Sequence, residues 1–395
     1  MTVRNGREFL SIPGPTTIPD DVLNAMHQQP VEIYDGPLVD LTAQIQDDLR
    51  RIFATKGRTY LYAANGHGAW EAALANTLSK GEKILVLESG RFATAWGRMA
   101  SMLGLDVEIL PGDWRHAVDP AALESRLRRD KGSEIAAVLI CQVDTASSVV
   151  NDIPAIRKTM DAAGHGALLL VDVIASLATM PFEMDEWGVD VGVTAAQKGL
   201  MSPPGLSFVA AGEKAIAAHE KADLRTLYWD WTARENEPHY NKYCGTPPEH
   251  LLFAVRKAID MLFDEGLDAV FERHRLIAEA VRRAVDIWGA GGGLEFNISD
   301  PAARANSVTT VLLSEDGDAR RLLDYCRNRC GVTLGSGIGD LTDKAFRIAH
   351  MGHVNAPMIL GTLGAIEMAL AALGIAHKKG GVQAAIDWLG RSVPA

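Results

Sequence analysis

The feature that most constrains this chain is a sustained alternation of short apolar runs with helical patterns. The runs are "RTYLYAA" (58–64), "KILVLES" (83–89), "DVEILPG" (106–112), "AAVLICQV" (136–143), "ALLLVDVIAS" (167–176), "VGVTAAQ" (191–197) and "LSFVAAG" (206–212). Several are apolar throughout, as strands are when a sheet is covered on both faces. Helical patterns separate them at 68–79, 92–103, 120–129 and 151–163. The last opens on "NDIPAIRK", where an Asn or Asp caps the run. The alternation predicts an α/β fold whose seven strands form one mainly parallel sheet.

Near residue 249 the pattern changes to two long amphipathic helices, 249–266 and 267–289. Mixed elements follow: a strand at 307–314, a helix at 319–330 and a last helix near 356–373. This predicts an N-terminal arm (1–20), a large domain (21–265) and a smaller α+β domain (266–395). A chain of 395 residues, 47% hydrophobic, has enough apolar mass for a large core without disulfides or metal. Its four cysteines form no zinc or redox pattern; Cys326 and Cys330 lie one helical turn apart. The net charge of −11 argues against nucleic acid as a partner, because phosphate backbones select basic surfaces. No run reaches the ~20 apolar residues of a bilayer span, and no signal peptide is evident. The expectation is a cytoplasmic protein with no membrane partner.

Ligands of open α/β sheets bind beyond the C-terminal ends of the strands. Three polar features fall there. Asp172 interrupts "GALLLVDVIAS"; read alone it is a carboxylate capping a loop, since an unpaired buried carboxylate is costly. Lys198 sits in "TAAQKGLMSPPG" among small residues; read alone it is a surface cation. Together they suit a carbonyl cofactor. A buried lysine with a depressed pKa makes Schiff bases, and a buried aspartate holds a pyridine nitrogen protonated. The pair points to pyridoxal 5′-phosphate. "YAANGHGAWEAAL" (62–74) supplies a strand, a glycine-bearing turn and a helix N-terminus that favours a phosphate. In "ESGRFATAW" (88–96), Phe92 or Trp96 is available to stack on an aromatic ring.

"VDVIASLATMPFEMDEWGVDVGVTAAQKGLMSPPGLSFVAAG" resembles the cofactor-lysine region of the fold-type I, class V aminotransferases, in the serine–glyoxylate and alanine–glyoxylate branch. The resemblance extends through "IPGPTTIP" (12–19), "ANGHGAWEAAL" (64–74), "TPPEHLL" (246–252) and "FRIAHMG" (346–352). It implies that Lys198 joins the cofactor covalently and that Asp172 pairs with its ring nitrogen. It makes Phe92, rather than Trp96, the ring-stacking aromatic. Asn65, Gly66 and His67 match the phosphate turn, and Gln197 a glutamine near the phosphate. Thr145 matches a hydroxyl residue contacting the cofactor. Tyr243 and Thr246 match a Tyr-x-x-Thr element that a partner subunit lends to the phosphate, so a homodimer with shared sites is implied. Arg347 matches the arginine that grips the substrate carboxylate through two parallel N–H bonds. "LGSGIGDL" (334–341) lacks a nucleotide-loop setting and resembles the segment leading into Arg347.

Three departures stand out. The phosphate turn is Asn-Gly-His-Gly where many relatives have Ser-Gly-Thr-Gly. "DTASS" (144–148) lacks the final glycine of the relatives' "ETATG" or "ESSTG". "IYDGP" (33–37) stands where serine-type relatives carry Asp-His-Arg. These changes leave the cofactor machinery whole and the donor open. The implied activity is ping-pong transfer of an amino group from serine or alanine to glyoxylate or another small 2-oxoacid. The alternative is a same-fold enzyme with another donor or a lyase activity.

Overall fold

The computed structural model describes residues 3–314 and 317–393. The ends of the anticipated arm and small domain, residues 1–2 and 394–395, lie outside the described residues, as do 315–316. All seven apolar runs become strands of one sheet: β1 (Arg58–Tyr62), β2 (Lys83–Leu87), β3 (Asp106–Leu110), β4 (Ile135–Cys141), β5 (Leu168–Asp172), β6 (Val191–Ala195) and β7 (Ser207–Ala211). Their order is β1-β7-β6-β5-β4-β2-β3. β3, β2, β4, β5 and β6 pair in parallel. β7 runs antiparallel to both neighbours.

The inner strands are largely apolar because both faces are covered, whereas edge strand β3 has no buried residue. On one side Leu85, Val138, Leu169 and Phe208 meet α1 (Pro37–Phe53) through Leu49 and Phe53. On the other, Val86, Leu139, Leu170 and Val209 meet α2 (Gly66–Thr77) and α3 (Arg91–Met102) through Trp70, Leu74 and Trp96. The outer edge of β1 is closed by side chains rather than another strand. Gln46 Nε2 donates to the Thr59 carbonyl at 2.8 Å and Arg234 Nη1 to the Leu61 carbonyl at 2.8 Å.

The two amphipathic patterns form α4 (Glu249–Glu265) and α5 (Leu267–Gly289), separated by Gly266 at φ +86°. A second sheet follows, built from β8 (Leu294–Phe296), β9 (Val308–Leu313), β10 (Val332–Ser336) and β11 (Ala345–Ala349). Its order is β8-β9-β11-β10, and the arm strand Phe9–Ser11 adds to β10 in parallel. The pattern at 319–330 is helical only to Tyr325, and a wider π turn carries Cys326–Cys330.

α6 (Ala356–Leu373) departs from expectation, since by length and composition it is apolar enough to cross a bilayer. Its Ile359, Leu363, Ile366 and Leu370 pack with Val281 and Trp288 of α5 and Phe346 of β11, so one face belongs to the core of the small domain.

The sheets meet at the loop 144–148. Ser148 donates its N–H to the Asp144 carbonyl at 2.7 Å and accepts the Ala305 N–H at 3.2 Å. Its hydroxyl bonds that of Thr310 on β9 at 2.5 Å. Ser148 lies at φ +69°, the left-handed region where the relatives' glycine is at ease.

Candidate active site

Asp172 is the last residue of β5, opposite Cys141 of β4 and Val193 of β6. Its side chain is enclosed. Oδ1 accepts the Ile174 N–H at 2.6 Å, and Oδ2 accepts the Trp70 indole N–H at 2.8 Å, with the Cys141 thiol 3.8 Å away. Burial nevertheless dominates and pushes the carboxyl up to about 7.

Lys198 follows β6, between the buried Ala195 and Ala196 and a glycine. Any side chain at Gly199 would strike the Leu177 carbonyl, so the turn closes tightly. The Lys198 amine donates to the Pro13 carbonyl. Gly14, at φ +103°, has its backbone against this side chain, and an added Cβ would lie 2.7 Å from Lys198 Cδ. Thr16 fixes the arm here: its N–H donates to the Gln197 carbonyl at 3.0 Å and its hydroxyl to the Lys198 carbonyl at 3.2 Å. Burial, reinforced by the positive charge of Arg347, lowers the amine to about 8, while Asp172 pulls the other way.

The turn after β1 faces the same space. Asn65 caps α2, its side chain accepting the His67 N–H at 3.1 Å. The first turn of a helix leaves N–H groups for an anion. Gly66 allows close approach, since a Cβ there would meet Ile174 Cδ1 at 2.5 Å. Between these pieces lies a cavity of about 220 Å³. Its wall contains Asn65, Gly66, His67, Phe92, Thr145, Asp172, Gln197 and Lys198, eight of the residues singled out from the sequence. Trp96 is fully buried, stacked on Trp70 at 5.8 Å, so of the two aromatics in "ESGRFATAW" it is Phe92 that reaches the cavity, whose wall also includes Trp70.

Arg347, in the middle of β11, does not line the cavity but bonds Thr145, which does. Its Nε donates to the Ser336 carbonyl at 2.7 Å and Nη1 to the Thr145 carbonyl at 2.9 Å. Burial lowers it to about 10, so it remains charged at neutral pH, and buried Asp144 favours that charge. Close approach of "LGSGIGDL" is visible at Gly335, where a Cβ would lie 2.7 Å from Pro13 Cδ and 3.1 Å from Arg347 Cβ.

Tyr243 and Thr246 are not brought to this cavity. Tyr243 is buried, its hydroxyl 2.7 Å from that of Thr42, which itself donates to the Leu38 carbonyl at 2.8 Å. The Tyr243 hydroxyl thus has a hydrogen-bond partner within its own chain. Thr246 is exposed.

Sequence reasoning passed over Trp70 and Asp144. Trp70 follows His67 by three positions on α2, the spacing of one helix face. Asp144 is an acid ending an apolar run, the same signal that marked Asp172. It caps α3, accepting the Phe92 and Ala93 N–H groups at 2.8 and 3.0 Å. It also accepts the Ala146 N–H at 2.9 Å, so one carboxylate fixes both Phe92 and the Thr145 loop.

Over residues 9–342 the chain matches the family described as Aminotransferase class-V. It belongs to that family. The aminotransferase is 38% identical over 395 residues to the serine–glyoxylate aminotransferase of Methylorubrum extorquens, covering 98% of this chain and 97% of the relative. It is 36% identical to the L-aspartate–glyoxylate aminotransferase of Paracoccus denitrificans, covering 95% and 94%. Its fold superposes on the pyridoxamine–pyruvate aminotransferase of Mesorhizobium loti with a TM-score of 0.89, at 25% identity over 100% of both chains. Class V membership makes it a pyridoxal phosphate-dependent transaminase, and the cavity fits that cofactor. The wall offers one amine, one buried carboxylate and a capped helix N-terminus. Gln197 Oε1 is buried there without a hydrogen-bond partner.

Proposed function

We propose that this aminotransferase moves the amino group of a small amino acid, serine or alanine, to glyoxylate or another small 2-oxoacid. The observation that carries the reading is the convergence of Lys198, Asp172 and the Asn65–His67 turn on one cavity. The serine–glyoxylate relative supports the choice of serine and glyoxylate. When bound, pyridoxal phosphate supplies an aldehyde that takes up the amino group and a ring that accepts electrons from the substrate's Cα–H bond.

This chain's residues do the rest. The first turn of α2, with Asn65, Gly66 and His67, would hold the phosphate, with Gln197 beside it. Phe92 would pack against the cofactor ring and Thr145 would contact the cofactor. Asp172 would pair with the ring nitrogen; a positive charge there would draw its carboxyl, raised to about 7 by burial, back to the anion. Lys198 would be the point of covalent attachment, and its Nζ is the group placed to move the proton of the substrate Cα. Its lowered proton affinity suits that exchange near neutral pH. Arg347 binds the substrate carboxylate, with Ser336 and Thr145 orienting the guanidinium plane. Two half-reactions through one site give ping-pong kinetics.

The reading extends to a homodimer in the cytoplasm, with Tyr243 and Thr246 serving the partner's phosphate. Exposed Thr246 is available for this, whereas Tyr243 contributes by holding the segment against Thr42. A donor panel of serine, alanine and aspartate against glyoxylate and pyruvate tests the function. Beyond one equivalent per bound cofactor, consumption of serine or alanine is expected to depend on added oxoacid. Donor breakdown that continues past that equivalent without an acceptor contradicts transfer and indicates a lyase.

A further inference from the structure

We propose that Trp70 is a positioning residue that orients Asp172 and sets its proton affinity. The inference rests on the role given to Asp172 above, but its geometry stands independently. Asp172 ends β5 in an apolar enclosure, where a carboxylate needs donors to stay ionised. Two strong ones reach it. The Ile174 N–H, from the next turn of backbone, holds Oδ1 at 2.6 Å. The Trp70 indole N–H holds Oδ2 at 2.8 Å. The Cys141 thiol, 3.8 Å from Oδ2, is a weak donor. Trp70 is therefore the side-chain donor that fixes which way the carboxylate turns.

The indole is itself immobilised. It is 1% exposed and stacks on Trp96, with ring centroids 5.8 Å apart and planes 15° from parallel. His67 of the phosphate turn lies 4.5 Å away and Phe92 lies 6.3 Å away, nearly edge-on. One ring thus touches the phosphate turn and the stacking aromatic while bonding the acid. A leucine or phenylalanine fills such a space as well, but only tryptophan adds a donor N–H to the apolar ring, and here that N–H has an acceptor. Trp96 shows the contrast: its indole nitrogen is buried with no partner.

A donor to a carboxylate favours the anion, and a charge-assisted bond is roughly twice as strong as a neutral one. The Trp70 bond is therefore worth most when Asp172 is ionised. Other charged or titratable groups facing Asp172 are Lys198 beyond β6, Asp144 and Cys141 on the β4 side, and His67 on α2. Asp144 is also pushed up by burial, so a pH effect is assignable to Asp172 only against a control lacking its carboxyl.

The test is a cycle of Trp70→Phe and Asp172→Asn in the full chain, with and without added pyridoxal phosphate. Trp70→Phe keeps the ring and deletes the donor. In the cofactor-free chain its loss of thermal stability is expected to be about twofold larger at pH 8 than at pH 5. In the Asp172→Asn background that difference disappears. With cofactor, Trp70→Phe is expected to weaken affinity by roughly tenfold. A loss equal at both pH values, or one unchanged by Asp172→Asn, overturns the proposal and leaves Trp70 as packing. If Trp70→Phe does not fold, the wild-type chain labelled with 15N-tryptophan answers instead. One indole N–H resonance is expected to shift with pH around neutrality and to be still in Asp172→Asn; no such resonance overturns the proposal. Failure of cofactor attachment in the wild type sinks the functional reading, whereas the cofactor-free cycle judges Trp70 alone.

Discussion

At the scale of single residues, the site is a set of ionisable groups held away from their ordinary states. Asp172 is raised to about 7, above its unfolded value of 3.8, so the folded chain holds a proton that the unfolded chain releases. Its contribution to stability is full below pH 4 and declines as pH rises to 7. Lys198 is lowered to about 8 from 10.5, so stability recovers as pH rises through that interval. The cofactor-free chain is thus least favoured by this pair between about pH 7 and 8. Asp172→Asn removes the acid limb: the variant is expected to match wild type at pH 4 and to melt higher at pH 7.5 without cofactor. Melting curves at the two values check this, and a lower melting point at pH 7.5 contradicts it. Arg347 gives a kinetic prediction. Arg347→Ala is expected to raise KM for the amino donor by about ten- to a hundredfold, as loss of a charge-assisted pair does. An unchanged KM removes Arg347 from substrate binding.

At the scale of elements, six of the seven runs of the large sheet could be read because they are buried along most of their length, which leaves a near-continuous apolar signature, whereas edge strand β3, half-buried or exposed throughout, shows only Val107, Ile109 and Leu110. Asp172 and Lys198 were legible for the same reason: a charge inside an apolar run is conspicuous. The strands β10 and β11 and the arm strand were harder: β10 ends in Gly335 and Ser336, Arg347 interrupts β11, and the arm strand is only three residues long. Trp70 escaped because a tryptophan in an alanine-rich helix reads as core, and only the fold shows what its N–H meets. The missing glycine of "DTASS" is resolved by Ser148, which takes the left-handed conformation itself and bonds Thr310 across the seam. Ser148→Ala keeps the backbone strain and loses the bond, and is expected to cost about 1 kcal/mol. Ser148→Gly relieves strain of ~1 kcal/mol while losing the bond and loosening the unfolded chain, so it is expected to lie closer to wild type. Denaturant unfolding of the two variants checks the order; alanine more stable than glycine contradicts it.

At the scale of the whole molecule, the cavity lies where the large sheet, the small sheet and the arm meet. The arm reaches the Lys198 side chain with Pro13 and Gly14, the small sheet reaches the Thr145 carbonyl with Arg347, and the large sheet with its loops supplies the lining. Sequence spacing alone does not show that three distant segments close on one lysine, which is why the Pro13 contact was not foreseen. The shared-site reading makes a prediction at this scale. Thr246 is absent from the cavity of its own chain, so Thr246→Ala leaves a monomer's cofactor affinity unaltered. In a homodimer with shared sites it is expected to weaken that affinity by about tenfold, as loss of a bond to phosphate does. Sedimentation together with cofactor titration decides between these.

The central claim, that one enclosed amine carries the cofactor, is tested most directly by borohydride reduction of the cofactor-loaded chain followed by peptide mass spectrometry. A stable pyridoxyl label on Lys198, lost in Lys198→Ala, is expected. A label on another lysine, or none after saturation with pyridoxal phosphate, contradicts it.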